Sequence, residues 1–424
     1  MKVLHLTEGL ADGDGGTVSL HRLHCGLKEA GIQSELLCTL PEKWLSGSPD
    51  DIMKVELSRV ERRAIPFLKN ISKKMGLHGV LDPTHYAVIR NKAFGDADVV
   101  TIHHLSGICS YLSLPQLTLR KPTVFVLRDM MSFTGHCFHS LDCERWKTGC
   151  GKCPYPKITP AISVDNTRLA WKLKDWAFSR SQLTIVAQSA WMVNVAKQSM
   201  LQRFPIHHIP NGIDTEIYRP HDPDVCRSVL NIPKGKKVLM FMSANLSGPL
   251  KGGDLFANAV QSLPESLKAE MVILLLGRRG EALANSLGIR SIYLGYVQSD
   301  LLKVICFSAA DCFVSPTRAE SFPNVLLESI ACGTPVVSQN VGGVQDIARP
   351  DVSGFLADLG DVQGLRDHIV AILENDALRS DMRQRCRKLA LEEFSISMQA
   401  QRYIQLYRQL LSNKREREGV GGAA

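Results

Sequence analysis

The stretch 312–343, CFVSPTRAESFPNVLLESIACGTPVVSQNVGG, constrains the fold more than any other part of the chain. It predicts a strand at Cys312–Pro316, a loop, a helix over Asn324–Cys332 and a second strand after it. Pro323 is typical of the first turn of a helix, and Gly333 of a left-handed C-terminal cap. Such a unit belongs to a parallel sheet, which binds ligands in the loops at the carboxyl ends of its strands. The stretch therefore predicts an α/β fold with a ligand site in this loop.

Two glutamates in this stretch are candidate site residues. Glu320 lies in the loop, and Glu328 lies about a turn and a half inside the helix. Helical side chains lean toward the N-terminus, so Glu328 points back to the free amides near Phe322–Val325, which form an anion site. A carboxylate would repel phosphate, so we expect the amides to hold phosphates and Glu328 to accept hydrogen bonds from hydroxyls, such as those of a ribose. For an isolated glutamate, a surface position in an ordinary helix is the alternative.

The stretch resembles the nucleotide-sugar site of the family-4 retaining glycosyltransferases, which have the GT-B fold. The resemblance implies two Rossmann-like, doubly wound parallel-sheet domains that face a cleft. It also implies that Glu320 lies near the donor sugar and its reaction centre, and that Glu328 binds the ribose. The matching positions are Glu320–Val325, Glu328, the run GTPVV at 333–337 and Gly342–Gly343. Of these, Glu320 becomes a catalytic candidate, and the donor-binding candidates are Ser321, Phe322, Pro323, Asn324, Val325 and Glu328.

Length and charge limit the class of protein. A chain of 424 residues predicts two or three domains. A formal net charge of +8 allows a phosphate-bearing ligand or an anionic membrane surface, and we expect no nucleic acid partner. The first apolar run is too short for a signal peptide, and no window approaches the length of a transmembrane helix. We expect a cytoplasmic protein, able to act at the inner face of the membrane, whose twelve cysteines are mostly thiols.

The N-terminal segment predicts a second phosphate-binding loop. An apolar strand at Met1–Thr7 is followed by the glycine-rich loop Glu8–Gly16 and a helix over Thr17–Ala30. Glycine lets the backbone approach an anion, although an ordinary tight turn would have the same composition. The family resemblance implies that Gly15 and Gly16 face the donor diphosphate.

Polar residues end two further predicted strands of the first domain. The strand 98–104 ends in His103 and His104, which are candidates for contact with the acceptor; a structural role for at least one is equally supported. The next strand ends at Arg128, where many family-4 enzymes have a histidine. Arginine cannot act as a general base but stabilises phosphate or carboxylate charge. We therefore add Arg128 to Glu320 as a second catalytic candidate.

A cysteine-rich insertion occupies residues 134–154. Its four cysteines are Cys137, Cys143, Cys150 and Cys153. The closing CxxC is typical of a zinc knuckle, but the wider first spacing departs from a standard finger. A structural zinc, for which His136 or His139 could replace a cysteine, and free or cross-linked thiols both stay open. The segment resembles an insertion in family-4 enzymes that build exopolysaccharides, and we expect catalysis itself to need no metal.

Residues 45–79 are polar and irregular, with basic and apolar side chains interleaved. The basic residues are Arg59, Arg62, Arg63, Lys69, Lys73 and Lys74. A basic amphipathic stretch can lie on an anionic bilayer, and a solvated helix face or a flexible insertion is the alternative.

Domain boundaries follow from the turn-rich PNGID at 210–214, which resembles the interdomain connection of the family. We predict an acceptor-side domain over 1–210 and a nucleotide-sugar-binding domain over 211–395. A helix at 396–412 would cross back to the first domain, and the charged, glycine-rich tail 413–424 would be disordered.

The start of the second domain carries a candidate phosphate ligand. Lys251 matches the lysine that binds donor phosphate in the family, but Asn245 stands where an arginine is usual. Arg278 and Arg279 could compensate, and a plain surface role is equally supported for them.

The resemblance implies a retaining, metal-independent transferase. It would move a sugar from a nucleotide-diphosphate donor to a polysaccharide or lipid-linked acceptor. Three alternatives stay open. One is another GT-B enzyme, such as a sugar-nucleotide epimerase or a phosphorylase. Another is a zinc-containing interaction protein built around Cys137–Cys153. The third is a member of the family that binds the donor but is inactive, given Arg128 and Asn245.

Overall fold

The chain folds into two units, each built on one parallel sheet. A computed structural model describes residues 1–9, 15–40 and 51–421. The first unit comprises Met1–Pro210 together with Gln399–Ala424, and the second comprises Asn211–Met398.

The sheet of the first unit has seven parallel strands in the order β3-β2-β1-β4-β5-β6-β7. The strand order reverses between β1 and β4, and ligands of such sheets bind outside the carboxyl ends of the strands at this switch point. The strands are β1 Lys2–Gly9, β2 Gln33–Leu40, β3 Ile52–Lys54, β4 Val99–Ile102, β5 Thr123–Leu127, β6 Thr184–Ala187 and β7 Ile206–His208.

Helices cover both faces of this sheet, which is why β4, β5 and β6 are buried along their whole length. The helices are α1 Gly15–Glu29, α2 Arg59–Lys74, α3 His85–Arg90, α4 Lys92–Asp96, α5 Leu114–Arg120, α6 Thr167–Phe178 and α7 Ala190–Lys197.

The second unit has a six-stranded parallel sheet in the order β10-β9-β8-β11-β12-β13, with its switch point between β8 and β11. Its strands are β8 Lys237–Asn245, β9 Met271–Arg278, β10 Ser291–Tyr293, β11 Cys312–Ser315, β12 Val336–Gln339 and β13 Gly354–Ala357. Its helices are α8 Pro223–Val229, α9 Gly253–Gln261, α10 Glu265–Ala269, α11 Glu281–Ser286, α12 Asp300–Ala309, α13 Asn324–Ala331, α14 Val362–Glu374 and α15 Asp376–Glu393.

The last helix, α16, runs from Ile396 to Gly421. Tyr403 and Tyr407 are buried in a core cluster of the first unit that includes residues of β1, β4 and β5. The Tyr407 hydroxyl lies 2.8 Å from Oγ1 of Thr101 in β4. The first unit is therefore completed by a segment from the far end of the chain.

The predicted architecture of two doubly wound parallel sheets is confirmed, but three local predictions need correction. Pro323 is the extended residue before α13, with φ −82° and ψ 104°, and the helix begins one residue later. Most of the stretch predicted to be irregular is ordered: β3 and α2 lie in it, and Ser58 and Glu61 form a capping box at the start of α2. Residues 45–50 of that stretch lie outside the described residues.

The tail at 413–421, which we predicted to be disordered, continues α16. Its Lys, Arg and Glu residues have high helix propensity, and adding a turn to an existing helix avoids the cost of nucleation. Residues 422–424 lie outside the described part of the chain.

Candidate active site

The loop between β11 and α13 is fixed by the glycine that follows β12. Gly342 has φ +52°, and a Cβ there would lie 1.8 Å from the carbonyl oxygen of Glu320. That same carbonyl accepts a hydrogen bond from the amide of Gly343 at 3.1 Å. Only glycine allows this close approach, so the second half of the motif positions the first half.

Glu320 and Lys251 form an ion pair. Nζ of Lys251 donates to Oε2 of Glu320 at 2.8 Å. The nearby carboxylate of Glu320 holds the pKa of Lys251 above its ordinary value, so the lysine is positively charged. The structure thus brings together two side chains that are 69 positions apart and that the sequence singled out separately.

Glu328 is buried in α13, with 5% of its surface exposed. It lies one helical turn after Asn324, whose Oδ1 accepts a hydrogen bond from Nδ2 of Asn211 at 2.9 Å. Ser321 and Phe322 are also buried. Glu328 is therefore buried within the second unit. The alternative that it occupies the exposed face of an ordinary surface helix is wrong.

Asn245, which stands where the family has an arginine, stabilises a turn. Oδ1 of Asn245 accepts hydrogen bonds from the amide and the hydroxyl of Ser247, at 3.2 and 2.9 Å. The guanidinium of Arg278 lies 4.1 Å from the ring centre of Tyr296, in a cation–π contact. Arg278 therefore has a structural partner of its own in this geometry.

In the first unit, a pocket of about 480 Å³ opens at the carboxyl ends of β1, β4 and β5. It lies at the switch point between β1 and β4, and three of the sequence-predicted residues line it: His103, His104 and Arg128. Sequence reasoning did not identify its other polar lining residues, which include Glu8, His78, Tyr111, Asp129 and Ser132.

The two histidines differ in exposure. His103 is 2% exposed and contacts two protein side chains through its ring nitrogens, whereas His104 is half-buried. Nδ1 of His103 lies 2.8 Å from a terminal nitrogen of Arg128, and its Nε2 lies 2.9 Å from Nδ1 of His5. Both ring nitrogens of His103 therefore have protein partners, which supports the structural role left open for one of the two histidines, and contact of His104 with an acceptor stays a prediction.

Gly15 and Gly16 begin α1, where the carbonyl of Gly15 accepts a hydrogen bond from the Ser19 hydroxyl at 2.8 Å. The middle of the predicted glycine loop, residues 10–14, lies outside the described residues. The donor-facing role of the two glycines stays a prediction.

The cysteine-rich insertion is organised by hydrogen bonds. Sγ of Cys150 accepts from the amide of Gly135 at 3.2 Å, and Sγ of Cys153 lies 3.2 Å from Nε2 of His136. Burial raises the pKa of Cys150 to about 12 and raises that of Cys137 as well, so both are thiols at neutral pH. In the ranges 1–9, 15–40 and 51–421, no three His, Cys, Asp or Glu side chains converge in a way that could hold a metal ion. Structural zinc therefore stays a prediction from spacing, without a ligand set in this geometry.

A buried lysine ties the insertion to α6. Nζ of Lys174 donates to the carbonyls of Met131 and Thr134, at 2.6 and 2.9 Å, and lies 4.6 Å from the ring centre of Tyr111. Burial lowers the pKa of Lys174 to about 8. The amphipathic pattern of the helix gave no sign of this role.

Two family models match most of the chain. Residues 13–217 match "Glycosyltransferase Family 4", and residues 224–389 match "Glycosyl transferases group 1". Among curated relatives, the D-inositol 3-phosphate glycosyltransferase of Xylanimonas cellulosilytica is 30% identical over 212 residues, which are 46% of this chain and 50% of that protein. The N-acetyl-alpha-D-glucosaminyl L-malate synthase of Bacillus anthracis is 25% identical over 234 residues, 54% of this chain and 60% of that one. The chain spans about half the length of the curated relatives it matches.

Solved structures match over nearly the full chain. Sucrose-phosphate synthase from Thermosynechococcus elongatus has a TM-score of 0.71 at 18% identity, over 97% of this chain and 100% of that one. Anabaena HepE in complex with UDP-glucose has a TM-score of 0.65 at 17% identity, over 96% and 100%. At these identities the likeness establishes the fold.

The two parallel-sheet units and their structural relatives define the GT-B class of protein. Within this fold class, the first part of the chain is similar to glycosyltransferase family 4 and the second part to the glycosyl transferases group 1.

Proposed function

We propose that this protein is a retaining, metal-independent glycosyltransferase that uses a nucleotide-diphosphate sugar. The Lys251–Glu320 pair carries the proposal, because it sets a charged lysine beside the loop that leads into α13. A cation and the amides at the start of a helix together suit a diphosphate. The UDP-glucose named for Anabaena HepE makes uridine diphosphate sugars the first donors to test.

In the proposed reaction, the bond between the sugar C1 and the diphosphate oxygen breaks, and a bond from C1 to an acceptor hydroxyl oxygen forms on the same face. The departing phosphate takes the proton of that hydroxyl. Lys251 and the amides at the start of α13 stabilise the charge that develops on the diphosphate, and such preorganised charge is usually the largest single contribution to catalysis. Glu320 would lie near the sugar and Glu328 would hold the ribose.

The acceptor would bind the pocket of the first unit through groups such as His104 and Arg128. We propose a glycan or lipid-linked acceptor of exopolysaccharide or lipopolysaccharide synthesis. The names of the two relatives given above include inositol 3-phosphate, which carries a phosphate, and malate, which carries carboxylates. Arg128 in the pocket suits an acceptor with such a group.

The first experiment is a thermal-shift screen of nucleotide diphosphates and nucleotide sugars. A ligand at 100 times its dissociation constant stabilises the protein by about 2.7 kcal/mol. Donors that stabilise would then be incubated with candidate acceptors in chelator, and the anomeric configuration of the product read by NMR. Stabilisation by no nucleotide would overturn the proposal, and a product of inverted configuration or activity lost in chelator would overturn its finer parts.

We also propose that α2 binds an anionic membrane surface from the cytoplasmic side. Val60 and Phe67 lie seven residues apart, so they share one helix face, and they are 76% and 65% exposed. Exposed basic residues surround them: Arg59, Arg63, Lys73 and Lys74. Apolar side chains flanked by basic ones are the pattern of a helix that lies in the plane of a bilayer. No helix in the described part of the chain is long and apolar enough to span a membrane.

Vesicle sedimentation tests this contact. We expect binding to vesicles that contain phosphatidylglycerol, weaker binding in salt, and loss of binding in Phe67→Ser. Leu301→Ser is the matched control, because Leu301 is also 65% exposed but lies in the second unit. Equal binding to neutral phosphatidylcholine vesicles, or equal loss in both variants, would contradict the proposal.

A further inference from the structure

Three side chains from neighbouring strands form one hydrogen-bonded chain beside the pocket of the first unit. His5 lies in β1, His103 directly follows β4, and Arg128 directly follows β5. Nδ1 of His5 lies 2.9 Å from Nε2 of His103, and Nδ1 of His103 lies 2.8 Å from a terminal nitrogen of Arg128. The sheet order β1-β4-β5 brings together residues that are far apart in the sequence.

The chemistry of arginine fixes the direction of every hydrogen bond in this chain. A guanidinium only donates, so Nδ1 of His103 must be the acceptor and carries no proton. The proton of His103 therefore sits on Nε2 and is donated to Nδ1 of His5. His5 in turn carries its proton on Nε2, an atom that is buried and has no hydrogen-bond partner within the described residues. Both rings are neutral, and each is held in a single tautomer.

The surroundings keep both rings neutral. Burial lowers the pKa of His5 to about 3, with smaller contributions from the charges of His24 and Arg128. Burial also lowers the pKa of His103 well below its ordinary value, as do Arg128, His5 and His104. The last helix, α16, also places a titratable group near these three side chains. It is the phenol of Tyr403, which is buried near Arg128. Neither histidine is therefore a proton donor or acceptor for chemistry near neutral pH.

We propose that His5 and His103 are positioning residues that orient the guanidinium of Arg128 toward a phosphate or carboxylate of the substrate in the pocket. A guanidinium is planar, so fixing one terminal nitrogen fixes the directions of its other N–H groups. A protonated His103 would offer no lone pair and would repel the guanidinium, so the neutral tautomer is required. The role in transfer rests on the proposed function, whereas the orientation of Arg128 does not.

Two substitutions of one residue separate the two contacts of His103. His103→Asn keeps an oxygen close to the position of Nδ1, where it can still accept from Arg128. His103→Gln reaches the position of Nε2, so it keeps the contact with His5 and withdraws the acceptor from Arg128. We expect His103→Gln to lower kcat/KM about tenfold or more, because a hydrogen bond to a charged group is lost, and His103→Asn to lower it much less. His221→Gln is the control, since this exposed histidine lies in the second unit.

Histidine ¹⁵N NMR gives a readout that needs no activity. We expect His5 and His103 to show the Nε2–H tautomer from pH 6 to 8, without titrating. Inorganic phosphate should shift the Nδ1 resonance of His103 in the wild-type protein and leave it unchanged in Arg128→Gln. A titrating His103, or an Nδ1–H tautomer, would overturn the inference whatever the activity.

The outcomes separate this inference from the proposed function. If no nucleotide sugar is a substrate but the tautomers and the phosphate shift are found, the orientation of Arg128 stands and the transferase assignment fails. If transfer is found and His103→Asn loses as much kcat/KM as His103→Gln, the contact with Arg128 is not the one that matters and the inference fails.

Discussion

Lys251 already has an anionic partner before any ligand arrives. Its ammonium donates to Glu320 at 2.8 Å, and a bound diphosphate would need the same ammonium. Lys251→Ala should therefore weaken binding of a nucleoside diphosphate far more than binding of the nucleoside. Calorimetry with both ligands measures this, and Lys268→Ala, which removes a lysine from an ion pair with the exposed Glu265, is the control. Equal losses for the two ligands would mean that Lys251 acts through folding and not through charge.

Glu320 should compete with that diphosphate. In Glu320→Gln the competing negative charge is gone, so we expect nucleoside diphosphate to bind as tightly as in the wild type or more tightly, while sugar transfer falls. The same calorimetry, paired with a transfer assay, checks both halves. Weaker diphosphate binding in Glu320→Gln would show that the carboxylate organises the phosphate site and does not compete for its lysine.

Glu328 is expected to bind the ribose of the donor and not its diphosphate. Glu328→Gln keeps the size of the side chain but weakens its acceptance of hydrogen bonds from hydroxyls, and losing such a bond to a charged group costs about 1.5–3 kcal/mol. Affinity for the nucleotide should fall, and affinity for the 2′,3′-dideoxy analogue should not. Unchanged affinity for the ordinary nucleotide would contradict the role in ribose binding. Because Glu328 is buried, a thermal melt of the variant must accompany the measurement.

At the scale of elements, one buried carboxylate serves arginines from two helices. Asp311, just before β11, lies 2.8 Å from Arg227 of α8 and 3.3 Å from Arg379 of α15, and it also accepts from the amide of Val238 at 2.8 Å. Asp311→Asn would leave partly buried guanidiniums without their counter-ion, so we expect a loss of about 3–5 kcal/mol in the free energy of unfolding. Urea denaturation measures it.

The control for Asp311→Asn is an ion pair at the surface of α15, the helix that carries Arg379. Asp381 pairs with Arg385 at the surface, with both side chains 48% exposed, and such pairs contribute about 0–1 kcal/mol. Asp381→Asn should therefore change the free energy of unfolding little. Similar losses in the two variants would show that burial does not set the strength of these pairs.

The cysteine-rich insertion can be tested by its metal content. About one zinc per chain in protein purified without chelator, lost in Cys150→Ser, is what the four-cysteine site predicted from the spacing requires. Metal-free protein with full activity would instead support a packed set of thiols. Zinc retained in that variant would move the ligands to other residues, including His136.

Most of the elements could be predicted from sequence because apolar runs alternate with glycine and proline signals. Gly333, with φ +76°, ends α13 as its sequence indicates. The chain of His5, His103 and Arg128 could not be found this way. The one signal was a histidine inside the otherwise apolar strand VLHL, and its meaning depends on which strands are neighbours in the sheet.

The whole molecule should lose stability in mild acid. Burial lowers the pKa of His24 to about 4 and that of His5 to about 3, so between these values and the ordinary value near 6.5 the unfolded state binds more protons than the folded state. The free energy of unfolding should therefore decrease as pH falls below about 6.5, and vary little from these groups above it. Urea denaturation at several pH values between 5 and 7 checks the slope. His24→Asn should reduce that slope even if it also lowers stability overall, and an unchanged slope would contradict the argument.

The way α16 completes the first unit has a consequence for synthesis on the ribosome. Val3, Val99 and Val124 share a core cluster with Tyr403 and Tyr407. When the first 210 residues have emerged, the segment that covers these valines has not yet been translated. The nascent first domain therefore keeps an apolar surface uncovered until the whole second domain has been synthesised. Such an intermediate exposes apolar surface during synthesis, so it is prone to aggregation and is the kind of species that chaperones bind.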